Sequence, residues 1–216
     1  MRKIAGIAAL LGLLLSVPEC SSAQFTLSDV RVAEVGALSV IEVSSTVLVR
    51  YVQHYPESSG DELRIQLEPL NVTRDQAQWV FRRQIVSGSP RNPAMLAEAI
   101  YEGDIDNGPY LTLFFRRPVG FQVRQGTDFR SVVVVVHPLH GLFEAEGRVV
   151  ETPFQASRLV LSLEVPNGKL RVTSIVLKLA VESPDLAKGL KVGERIKFII
   201  DGARQKIVAI EAPEEG

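Results

Sequence analysis

Residues Val132–Val136 are five consecutive valines, set between Ser131 and His137. β-Branched side chains are stiff in a helix and pack well on a pleated sheet. A strand points successive side chains to opposite faces, so both faces of this strand are apolar. It reads as a central strand covered on both sides. Left exposed, such a run would pair with other chains and aggregate. Any fold for this chain must therefore bury it deeply.

The rest of the sequence agrees with an all-β fold. Period-two alternation recurs, with few convincing helical stretches. Strands are expected near 27–32, 38–43, 47–52, 62–67, 110–115, 121–124 and 131–136. In 62–67, Leu63, Ile65 and Leu67 face one way and Glu62, Arg64 and Gln66 the other. Strands at this spacing, with a strong turn at Asp106-Asn107-Gly108-Pro109, predict a β-sandwich. The pattern weakens between Asn71 and Asp104. A short helix is expected over 74–81, with Trp79 and Phe81 turned to the core, and a loop over 87–93.

Pro and Gly punctuate His137-Pro138-Leu139-His140-Gly141, and alternation resumes at Gly147. The sequence therefore divides into a sandwich over 24–137, a linker over 138–146, a second unit over 147–212 and a tail over 213–216. The second unit shows strands near 148–151, 159–165, 169–181, 195–201 and 206–211. Five short strands in so few residues suit a small closed barrel. One helical turn with a Gly stop is expected over 184–190. Pro/Gly linkers with few crossing contacts mark units that fold independently.

The first 23 residues read as a secretory signal. Arg2 and Lys3 precede an apolar run, Ile4 to Val17, too short to span a membrane. Ser21-Ser22-Ala23 fits a cleavage site before Gln24. Cys20 raises the alternative of a lipid anchor, but the charged Glu19 before it argues against that. Cleavage would remove the only cysteine, leaving no disulfide and no thiolate. Losing Arg2, Lys3 and Glu19 from 24 basic and 25 acidic residues leaves a formal charge of −2. That balance gives no electrostatic case for nucleic acid.

Two stretches resemble known periplasmic domains. Pro184-Asp185-Leu186 followed by Lys188-Gly189-Leu190-Lys191-Val192-Gly193-Glu194-Arg195-Ile196, a turn between apolar alternating runs, resembles the CusF-type copper-binding domain. The resemblance implies a five-stranded OB-like barrel. That family holds Cu(I) with a His, two Met and a capping Trp, whereas the matching positions here are Leu163, Ile175, Leu177 and Val172. Tyr110 to Val119, followed by Phe121-Gln122-Val123-Arg124 and Ser131 to Val134, is similar to AMIN domains. Those are periplasmic β-sandwiches that localise amidases and secretins through peptidoglycan. Leu63 to Leu67 fits the same strand pairing.

Candidate chemistry is thin. Soft Cu(I) wants thiolate or thioether ligands, and Met95 is the only methionine beyond Met1. His54, His137 and His140 are the only histidines. His137 and His140 read as exposed linker residues that lack the further ligands of a closed site. No Gly-x-Ser-x-Gly elbow or phosphate-cradling loop is present. Asp104 and Asp106 could offer oxygen ligands to a cation, but the spacing stops after two carboxylates, and a solvated turn is the expected role. Arg82-Arg83 and Arg116-Arg117, with Arg124 and Arg130, form the only basic concentration. On one face they would hold carboxylates bidentately. Tyr51, His54 and Tyr55 read as a core edge, with stacking on a sugar or a protein as the alternative.

The sequence therefore predicts an exported, non-enzymatic binding or adaptor protein of a bacterial-type periplasm. Its partner is expected to be an envelope protein or peptidoglycan, met through Arg116, Arg117 and Arg124. No catalytic residue, cofactor or metal is expected, and no nucleic acid. The alternatives are a metal-handling protein using His54, His137 and His140 together, and a hydrolase.

Overall fold

A computed structural model describes residues 26–88, 91–152, 158–166 and 168–211. The expected signal and Cys20 lie outside the described residues, as do the expected tail and part of the expected 87–93 loop. The first unit contains β1 (Leu27–Val35), β2 (Leu38–Ser45), β3 (Leu48–Tyr55), β4 (Ser59–Leu70), α1 (Arg74–Val80), β5 (Arg83–Ser87), β6 (Leu96–Glu102), β7 (Tyr110–Gln125) and β8 (Ser131–His137). The strands pair in the order β1-β2-β8-β7-β4-β3, with β6 also on β7 and β5 on β6.

The strand β7 organises this unit. It runs for 16 residues, where the alternation suggested two separate strands. Its first half pairs with β4 and β6, and its second half, from Gly120, pairs with β8. Arg116, Arg117 and Pro118 are exposed between the halves. Because one strand serves both layers, the sheet folds over into a sandwich. Leu63, Ile65, Leu111 and Leu113 from one layer meet Ile41, Val43, Phe121 and Val134 from the other.

The helix α1 forms where expected. Thr73 caps it, accepting from the Gln76 backbone N–H while the Gln76 side chain returns to Thr73 N. This reciprocal cap satisfies two orphan donors. The side it buries differs from the expectation. Val80 is fully buried and Trp79 partly so, whereas Phe81 follows the last helical residue and is 48% exposed. The strands β5 and β6 fall in the stretch whose alternation was weak. Edge position explains part of this: β5 pairs only with β6 and leaves Ile85 exposed.

The second unit is a closed five-stranded barrel. It comprises β9 (Leu142–Glu151), β10 (Arg158–Glu164), β11 (Ser174–Val181), β12 (Arg195–Asp201) and β13 (Lys206–Glu211). The ring runs β10-β11-β13-β12-β9 and closes on β10, with β11 and β13 parallel and the other pairs antiparallel. This is an OB-like arrangement. A 3₁₀ turn at Pro184–Ala187, capped by Ser183, lies between β11 and β12. Gly189 follows at φ +88°, where a side chain would be strained. The strand β9 begins at Leu142, so residues 142–146, read as linker, belong to the barrel. The connection between the units shortens to 138–141.

The valine strand joins the two units. Every residue of β8 is buried. Val132, Val134 and Val136 face the sandwich core. Val133 and Val135 enter a second cluster with Ala33, Leu38 and Val40, and with Phe143, Leu163, Ile175 and Phe198 of the barrel. The second cover on β8 is thus the barrel itself. Full burial of one valine stabilises by about 1.5–3 kcal/mol, so Val133 and Val135 alone contribute roughly 3–6 kcal/mol to the junction as an upper estimate.

Polar contacts fix the docking. Glu42 is fully buried, and its Oε2 accepts from Arg171 N at 2.7 Å. Gln122 donates to Lys178 O at 3.1 Å and accepts from Lys178 N at 3.4 Å. Gln205 donates to Ser58 O at 3.3 Å. The shared cluster and these bonds replace the expectation of two independent cores.

Candidate functional site

The three arginines singled out in the sequence do not form one surface. Arg116 and Arg117 are exposed at the β7 corner. Arg124 is half-buried on the second half of the strand and lines a groove between the sandwich and the barrel. At about 3.3 Å per residue, the seven steps from Arg117 to Arg124 span roughly 20 Å. Burial lowers the Arg124 pKa from its ordinary value.

The histidines do not converge either. His54 Nδ1 lies 2.6 Å from the Tyr51 hydroxyl and its Nε2 2.9 Å from Glu57 O. This fits a ring that donates from Nε2 and accepts at Nδ1. His137, expected to be exposed, is buried: it closes β8 and its ring stacks on Phe143 with centroids 5.9 Å apart. Its Nδ1 lies 3.0 Å from Pro138 O, and its buried Nε2 has no hydrogen-bond partner among the described residues. His140 is exposed. Among the described residues, no three His, Cys, Asp or Glu side chains are placed to hold a metal.

Of the four positions expected to correspond to copper ligands, Leu163, Ile175 and Leu177 fall in the barrel interior and Val172 lies half-buried at the groove between the units. Leu163 on β10 lies opposite Ile175 on β11, and Leu177 follows on the same face. All three are buried in the junction cluster, with Val172 packed against it. These side chains carry no lone pair, and they fill the interior as apolar packing.

A different site emerges on the outer face of the β3-β4-β7 layer. The pairing of β3 with β4 slips between Tyr51 and Gln53, so Tyr51 pairs with Leu67 but Gln53 pairs with Gln66 and Tyr55 with Arg64. A bulge re-aims the side chains that follow it. Tyr51 packs against the sandwich core, as a core edge would, but Tyr55 turns outward and is 79% exposed. Gln53, Tyr55, Arg64, Gln66 and Tyr110 line a cleft of about 280 Å³ with His54.

The cleft walls are held in place. Gln53 Nε2 donates to Gln66 Oε1 at 2.9 Å, and Gln66 Nε2 donates to Asn107 O at 2.8 Å. The Arg64 guanidinium lies 4.1 Å over the Tyr110 ring and 3.7 Å from a Glu102 carboxylate oxygen. The cleft thus offers two tyrosine rings and planar amide and guanidinium edges, all on rigid strands. The sequence signal for it was Arg64 and Gln66 alternating outward from Leu63, Ile65 and Leu67. The bulge that adds Tyr55 left no local mark.

No protein-family model and no curated protein matches this chain.

Proposed function

We propose that this chain is an exported, non-enzymatic binding or adaptor protein of the bacterial-type periplasm, and that the Tyr55–Tyr110 cleft contacts the glycan of peptidoglycan. The observation that carries the reading is the composition of that cleft. Exposed aromatic rings give a large apolar contact with little conformational entropy to lose. Gln53, Gln66 and Arg64 supply donors and acceptors at the height of a ring stacked on tyrosine. Hydroxyl-rich sugar rings present both an apolar face and a polar rim, which this surface complements. Arg116 and Arg117 stay on the proposed contact surface only as a charged border, and Arg124 leaves it.

Cosedimentation with purified sacculi tests this. The exported chain is expected to be retained, and Tyr55→Ala or Tyr110→Ala to weaken retention severalfold, since truncating a central aromatic contact costs more than about 1 kcal/mol. Reversing Arg116 and Arg117 to Glu is expected to change mainly the salt dependence. Retention untouched by both tyrosine substitutions would place the contact elsewhere.

A further inference from the structure

The junction between the units contains a second, chemically different cavity. Its volume is about 460 Å³, within the range of small-molecule sites. Val133 and Val135 of β8 line it from the sandwich, and Val172 and Ile175 line it from the barrel. Among the described residues, the one cation on its wall is Arg124. Among the described residues Arg124 makes no hydrogen bond or ion pair, and its Nε is shut off from solvent without an acceptor.

Glu42 and Asp128, the acids on the strands and turn beside Arg124, do not bond it. Glu42 and Arg124 both pair with Val133, one from each side of β8. Two strand spacings, about 10 Å, separate their backbones; Glu42 Oε2 accepts from Arg171 N, and its buried Oε1 has no partner among the described residues. Asp128, on the turn of the β7–β8 hairpin, accepts from Arg130 N and the Ser131 hydroxyl. A half-buried guanidinium without an acceptor is costly. An anion in the groove would relieve that cost.

We propose that this groove binds an aliphatic carboxylate, with the carboxylate on the Arg124 guanidinium and the chain along the valines. A single cation favours a monoanion, and the planar guanidinium fork matches a carboxylate bidentately. A small reorientation of the flexible arginine brings Nε into that fork. At about 30 Å³ per water-sized atom, the groove holds roughly 15 heavy atoms, the size of a medium-chain fatty acid. The chain touches both units, so its binding also braces the junction. This inference does not rest on the glycan cleft, although Tyr51 of β3 lines the groove and its hydroxyl lies 2.6 Å from His54 of the cleft.

Calorimetric titration of the exported chain with sodium dodecanoate, below its micellar concentration, tests the proposal. Saturable binding at one site per chain is expected, at least tenfold tighter than hexanoate and tenfold tighter than dodecylammonium. Arg124→Gln removes the charge and is expected to weaken dodecanoate at least tenfold. Ser174→Trp, on an exposed residue at the groove mouth, leaves the charge intact and is expected to weaken it similarly by obstruction. Absence of saturable binding, equal binding of dodecylammonium, or unchanged affinity in either folded variant overturns the proposal.

Discussion

The His137 imidazole lies directly over Gly120, its cross-strand partner on β7. A Cβ at residue 120 would overlap Cε1, Nε2 and Nδ1 of that ring. Phe143 of the barrel stacks on the same ring, so it has little room to retreat. Gly120→Ala is therefore expected to destabilise the fold by about 1–3 kcal/mol, the usual cost of overpacking. Urea denaturation of Gly120→Ala, His137→Ala and the double variant provides a thermodynamic cycle. The double variant should lose less than the sum of the singles. Strict additivity would mean that the two residues do not press on each other.

His137 also makes stability depend on pH. Burial pushes its pKa below the ordinary histidine value, against a smaller upward pull from the Pro138 carbonyl. The unfolded chain takes up this proton near pH 6.5 and the folded chain only at lower pH. Between the two values the unfolded state holds more protons, so stability rises with pH. The contribution is complete above about pH 6.5 and is lost as pH falls through the folded value. Denaturation midpoints from about pH 8 to about pH 5 should fall for the native chain and fall less for His137→Phe. Parallel curves would assign the dependence to other groups.

The shared cluster predicts one cooperative transition for both units. Calorimetry of residues 24–216 should show a single peak. A fragment ending at His137 uncovers Leu38, Val40, Val133 and Val135, which the barrel otherwise covers. It is expected to aggregate or to unfold far below the complete chain. A soluble fragment with the midpoint of the intact protein would mean that the junction adds nothing.

The barrel interior offers a test of the resemblance to copper-binding domains. The native chain is not expected to withdraw Cu(I) from a strong chelator. Leu163→His, Ile175→Met and Leu177→Met together place a nitrogen and two thioethers on one interior face, the ligand types that suit Cu(I). Affinity is expected to rise at least tenfold in the folded triple variant. No gain there would show that the alignment behind the resemblance is incorrect.

Sequence alone was enough for the all-β character, for a short helix, expected over 74–81 and found over 74–80, and for the two-sided burial of β8. Those features rest on local patterns: period-two alternation and an unbroken valine run. It could not say what covers Val133 and Val135, because burial on both faces names no partner. Nor did it show that 110–125 is one strand, since the exposed Arg116-Arg117-Pro118 corner interrupts the alternation that marks a continuous strand. The placement of Arg124 in a groove and of Tyr55 on an open cleft was likewise decided by tertiary structure. The groove needs the barrel docked on β8, and Tyr55 turns outward only because one residue bulges from β3 against β4. A one-residue shift in register reverses which face a side chain meets, and register is set by strands distant in sequence.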